Sequence, residues 1–118
     1  YLMAIDHLDS GDILSQAIVY GDTIYLCGMT ATDRNLDISG QTKEVLAKID
    51  DRLGKCGSDK SQVMVATIYL TDLSLKPAVN EIWKAWLGDL NRPTRTCIGG
   101  IQLEPGVLVE ITVNAAKS

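Results

Sequence analysis

Arg95 and Glu110 stand inside the most apolar part of the chain, Arg95 in Pro93-Thr94-Arg95-Thr96-Cys97-Ile98 and Glu110 in Val107-Leu108-Val109-Glu110-Ile111-Thr112-Val113. A charge inside an apolar strand costs free energy unless it has a partner or a task. An arginine fork can hold a carboxylate by two parallel charge-assisted hydrogen bonds and so fix the atom beside it. A half-buried glutamate can take a proton from an attacking water and return it to a leaving group. Cys97 follows Arg95 at the spacing that shares one face of a strand. On pattern alone the alternatives stay open: Arg95 as a surface arginine paired with an acid, Glu110 as an edge-strand charge or the partner of an interface lysine, Cys97 as small core filling. No histidine is placed to activate a thiol, which favours a water-positioning or backbone role for Cys97 over covalent catalysis.

Length and composition bound what these residues can do. A chain of 118 residues predicts one domain spanning 1–118, small enough for oligomerisation to add much to its core. With 46% hydrophobic and 22% charged residues it falls among soluble globular proteins. A net charge of -4 and the lack of any basic stripe count against a nucleic-acid partner. Cys27, Cys56 and Cys97 have no short metal-type spacing and the single histidine, His7, is remote from them, so no metal is expected. The opening residues show neither a charged n-region nor a long apolar run, and no stretch approaches the ~20 apolar residues of a membrane span. Reduced thiols and a cytoplasmic location, with no membrane partner, are the expectation.

The elements that must position the candidates follow from pattern. Residues 2–5 read as a short strand and residues 6–12 as a polar loop holding a solvated His7. Two β-prone runs, 13–20 and 23–28, flank Gly21-Asp22, which is a hairpin signal. After a solvated loop, Ser39 is the expected cap of a helix to about Lys55, with Val45, Leu46, Ile49 and Leu53 on one face and Gly54 and Gly57 at its end. Residues 63–70 are nearly continuous in apolar and β-prone types, which predicts a central strand buried on both faces. Ser74 is the expected cap of a second helix, Pro77 lies in its first turn, and Asn91-Arg92-Pro93 ends it. Its stripe is Val79, Ile82, Trp83, Trp86, Leu87 and Leu90, and Asn80 shares the Trp83 face. The last two strands read as joined by a turn, where Gly99-Gly100 marks a bulge or a close backbone approach. The sum is an α+β layer of two helices on one sheet, whose opposite face would be too apolar for a monomer.

The Pro-x-Arg-x-Cys strand, the turn and the Val-Glu-Ile strand resemble the RidA (YjgF/YER057c/UK114) superfamily of enamine/imine deaminases, also called endoribonuclease L-PSP proteins. Ser15-Gln16-Ala17, Cys27-Gly28, Gln41-Thr42, Ala66-Thr67-Ile68-Tyr69-Leu70-Thr71-Asp72 and Asn80 extend the likeness, and the tryptophan-bearing helix is most similar to a YoaB-like branch. The resemblance implies a Bacillus chorismate mutase-like fold: a mixed sheet, two helices on one face, the last strand inserted in the middle, and a homotrimer with clefts between subunits. It implies hydrolysis of 2-enamine or 2-imino acids to 2-keto acids and ammonia, without a cofactor. It puts the carboxylate clamp on Arg95, the proton-handling group on Glu110, and further substrate contacts on Cys97, Asn80, Cys27 and Leu14.

Three positions depart from the family pattern and bear on which substrate fits. Gly-Pro-Tyr is replaced by Asp12-Ile13-Leu14, the usual hydroxyl before Gly28 is Cys27, and Leu-Pro-x-Gly becomes Leu103-Glu104-Pro105-Gly106. The rival readings are a non-catalytic trimer that binds a small carboxylate metabolite, and a ribonuclease or translation inhibitor. Acidic balance, a single histidine and the lack of an exposed aromatic platform count against the second.

Overall fold

Period-2 alternation decides which face of the sheet is wet. In the computed structural model, which describes residues 4–118, the last strand β6 (Val109–Ala116) buries Val109, Ile111, Val113 and Ala115 and turns Glu110, Thr112 and Asn114 the other way. Before it come β1 (Ile5–Ser10), β2 (Ser15–Tyr20), β3 (Thr23–Leu26), helix α1 (Ile38–Lys55), β4 (Val63–Leu70), helix α2 (Lys76–Leu87) and β5 (Thr94–Ile98). The six strands form one sheet in the order β1-β2-β3-β6-β4-β5, with β4 and β5 parallel and every other neighbour antiparallel. The last strand does enter the middle, between β3 and β4, as the resemblance implies. The turn expected between the two final strands is a longer connection instead: β4 lies between them, and the link passes its end through Ile101 N–H to Leu70 O and Thr71 N–H to Leu108 O, both 3.2 Å. Adjacency in sequence gave no warning, because a hairpin and a crossover read alike as two apolar runs with a loop between them.

Both helices pack on one sheet face. Gln41, Thr42, Val45, Leu46, Ile49 and Leu53 of α1 and Val79, Trp83 and Leu87 of α2 are buried there. Several expected ends move. Asp37, not Ser39, caps α1, its Oδ1 accepting from Gly40 N–H at 2.8 Å. Asp72 accepts from Ser74 N–H at 2.8 Å in a 3-10 turn, so Ser74 is the donor there and not the cap of α2. Helix α2 stops at Gly88, whose φ of 57° suits glycine, before Asn91-Arg92-Pro93, and Leu90 falls outside it. The residues expected as a polar loop around His7 are instead the edge strand β1, paired with β2; an edge strand can be this polar because its outer side meets water. Of the first strand expected over residues 2–5, Leu2 and Met3 lie outside the described residues. No helix among the described residues is long and apolar enough to cross a membrane.

The other sheet face is open. On β4, Ala66, Ile68 and Leu70 are fully buried, but Val65 is 43% exposed, so the expected burial on both faces is not supplied by one chain. Tyr25, Asn114, Val65 and Thr94 line up across that face through paired registers. Tyr20 is exposed on it together with Tyr25, so this face carries exposed aromatics although the sequence shows no aromatic platform. Of the two readings of Gly99-Gly100, a bulge or a close approach, Gly99 takes the second: a Cβ there would overlap the Leu73 side chain.

The connection into β6 is held by Gln41, which is fully buried. Its Nε2 donates to Leu36 O at 3.1 Å and Gly106 O at 3.0 Å, and its Oε1 accepts from Leu108 N–H at 2.9 Å. Replacing it by leucine keeps the volume and strands three backbone groups. Gln41→Leu is expected to lower unfolding free energy by about 3 kcal/mol, measured by urea denaturation; an unchanged midpoint would show that this amide anchors nothing.

Candidate functional site

Arg95 lies on the edge strand β5 in register with Ala66, a fully buried residue under the helices, so both point to the helix side. There its Nη2 donates to Asn80 Oδ1 at 2.6 Å and its Cζ sits 5.5 Å from the centre of the Trp83 ring. Asn80 and Trp83 are neighbours along one face of α2, which is why a helix one layer away can grip one guanidinium twice. The grip leaves the charge intact. An amide oxygen orients without neutralising, the indole face attracts the cation, and no ion pair among the described residues includes Arg95. The guanidinium opens on a cavity of about 410 Å³ lined by Asn80, Trp83, Lys84, Arg92, Pro93 and Arg95. Cys97, in register with Ile68, shares this side of β5 and is half-buried against the core.

Glu110 points the other way. It is in register with Tyr69 on the open face, in a cleft of about 390 Å³ formed with Gly28, Tyr69, Ile101, Leu103 and Thr112. Its carboxylate lies against Gly28 so closely that a Cβ there would overlap Oε2. Glycine after β3 therefore makes the room that Glu110 occupies. Leu14 and Cys27 line an adjoining cleft of about 560 Å³ that shares Gly28 and runs to Lys48 and Arg52 of α1. The Cys27 thiol donates to Gln16 Oε1 at 3.5 Å. Burial pushes its pKa up, the Arg52 charge opposes that, and the Glu110 charge adds to it.

The six expected site residues thus separate within one chain. Arg95, Asn80 and Cys97 fall on the helix side at one edge of the sheet; Glu110 lies on the opposite face, with Gly28 linking its cleft to that of Leu14 and Cys27. Strand β4 stands between the two charges. Two contributors were not expected. Trp83 reads as core and is 5% exposed, yet its ring also carries Arg95. Gly28 reads as a strand end; the signal for its real task was a glycine with no turn to make, directly after Cys27.

Residues 5–117 match the family described as Endoribonuclease L-PSP. A RutC family protein of Haemophilus ducreyi is 33% identical over 112 residues, spanning 95% of this chain and 96% of its own. RutC family protein YoaB of Escherichia coli is 34% identical over 116 residues, 97% of this chain and 99% of its own. Among solved structures, a YjgF family member from Neisseria meningitidis superposes with a TM-score of 0.93 at 34% identity, covering 98% of this chain and 97% of that one.

Two outcomes follow from the geometry. Asn80→Asp would neutralise Arg95 where Asn80→Ser would only loosen it, so calorimetric titration with a small carboxylate should give affinity roughly tenfold lower for the aspartate than for the serine variant; equal affinities would mean the Arg95 charge is not what binds. Since its raised pKa keeps Cys27 as the neutral thiol, which is the less reactive form, iodoacetamide at about pH 8 should modify it more slowly than an unstructured cysteine peptide, the gap closing as pH rises further. Equal rates read by mass spectrometry would show an accessible thiolate.

Proposed function

The chain belongs to the endoribonuclease L-PSP family, the RidA/YjgF superfamily, and from that premise we propose that it hydrolyses 2-enamine and 2-imino acids to 2-keto acids and ammonia in clefts completed between copies of the chain. The observation that carries this reading is the unneutralised Arg95 guanidinium, held by an amide and an indole at the mouth of a cavity. Arg95 binds the substrate carboxylate through its fork, which places the adjacent C=N carbon. Water attacks that carbon while Glu110 accepts its proton. The same carboxyl returns that proton to nitrogen, giving a carbinolamine, and then takes the hydroxyl proton and passes it to the amine as the C–N bond breaks, so that the C=O forms and ammonia leaves.

One copy cannot do this alone, because a substrate held by Arg95 has β4 between it and the Glu110 of its own chain. The proposed site pairs Arg95 of one copy with Glu110 of the next, in a cyclic homotrimer whose contact surface includes the open sheet face with Tyr25 and Val65. A binding-only reading is favoured by Leu14 and Cys27, where the resemblance leads one to expect an aromatic or a hydroxyl. A nuclease reading meets the net charge of -4 and the position of His7 on β1, the sheet edge opposite the one that bears Arg95.

The test is ammonia release from 2-iminopropionate generated in situ, with Arg95→Ala and Glu110→Ala assayed separately and after mixing under subunit exchange. Each variant alone should be inactive, and the equimolar mixture should regain about a quarter of wild-type activity, since one cleft in four then holds both intact residues. No recovery after demonstrated exchange would place both residues in one subunit's site. Wild type that binds 2-keto acids without turnover would establish the binding protein.

A further inference from the structure

We propose that the Arg95 pocket is built for acids carrying a second carboxylate, 2-imino dicarboxylates and their 2-keto products, with Arg92 holding the distal group; this deepens the deaminase reading and rests on it for the reaction. The cavity is unusually cationic for a chain of net charge -4, since Lys84, Arg92 and Arg95 all line it. These three cations differ in what offsets them. Lys84 pairs with Glu81 at 2.9 Å. Arg95 has only the neutral Asn80 amide and the face of the Trp83 ring. Arg92 Nη1 donates to Gly88 O and to Leu90 O, both at 2.7 Å, and no ion pair among the described residues includes it.

Those two carbonyls lie just past the end of α2, where the negative end of the helix dipole favours a cation. They hold one nitrogen of Arg92 at the pocket rim and leave the rest of the fork to a ligand. Gly88 in a left-handed turn and the fixed φ of Pro93 hold the backbone that presents it. Two guanidinium groups without acidic partners on one cavity repel each other, and a monocarboxylate bound at Arg95 relieves only half of that. A diacid meets both. The cavity volume of about 410 Å³ has room for a four- or five-carbon diacid, whose methylene chain can lie along Pro93 and Trp83 while its two carboxylates meet the two arginines.

Calorimetric titration with 2-oxoglutarate and with 2-oxopentanoate, which has the same chain length and lacks the distal carboxylate, isolates the second group. Wild type should prefer 2-oxoglutarate by roughly tenfold, the worth of one charge-assisted contact. Arg92→Gln should lose that preference, with 2-oxoglutarate affinity falling several-fold more than that of 2-oxopentanoate, and Arg92→Lys should keep part of it, which a fold defect would not. Equal wild-type affinities, an Arg92→Gln variant that weakens both acids alike, or binding of neither would overturn the proposal. Turnover separates it from the deaminase reading: hydrolysis of monocarboxylic imines without diacid preference removes this inference alone, and diacid preference without hydrolysis of any imine removes the deaminase and leaves the binding assignment standing.

Discussion

The Gln41 amide sets where the last strand begins. It is fully buried, yet it meets two carbonyls and one N–H from parts of the chain far apart in sequence, Leu36 just before α1 and Gly106 and Leu108 at the entry to β6. Buried amides in proteins are satisfied or costly, so this one admits little slack. A slip of one residue in β6 would turn Glu110 into the core and Ile111 out of it. The register that puts a carboxylate on the open face therefore depends on a side chain in α1 that never touches the cleft.

The same alternation that builds the core divides the chemistry. Ladder partners share a face, so Arg95 goes with Ala66 toward the helices and Glu110 with Tyr69 toward the open side. No rotamer of either side chain can pass through β4. A sheet with helices on one face alone leaves the other partly apolar, and here that face carries Tyr25 and Val65 beside a row of threonines. Covering it with further copies would serve stability and join the half-sites at once.

Much of the architecture was legible because it rests on periodicity. The bounds of the strand at 63–70, though not its burial on both faces, and the α1 stripe Val45, Leu46, Ile49 and Leu53 came out as expected, since apolar spacing registers an element directly. What periodicity does not encode was lost. Strand β1 is held by backbone pairing with polar side chains, so Asp6, His7 and Asp9 read as loop. The crossover between β5 and β6 is a fact of three dimensions, and the near-continuous apolar run of β4 cannot say whether its second face is covered by its own chain. Arg95, Asn80 and Glu110 could be nominated by resemblance, but the opposite faces of Arg95 and Glu110 follow only from pairing. Gly28 was the most hidden, because its task is an absence of atoms where Glu110 lies.

Charge gives the proposed divided site its logic. Arg95 has no acidic partner, and Glu110 is in no ion pair among the described residues. Cys27 could spoil that balance, because a thiolate near Glu110 would add a second negative charge and repel a substrate carboxylate. Burial keeps it protonated, and the Glu110 charge itself pushes in the same direction, so the substitution of thiol for hydroxyl leaves a weak donor and no new charge. Each half-site then lacks what the other holds. A small anion that brings a carboxylate to the first and a protonated nitrogen to the second would complete both.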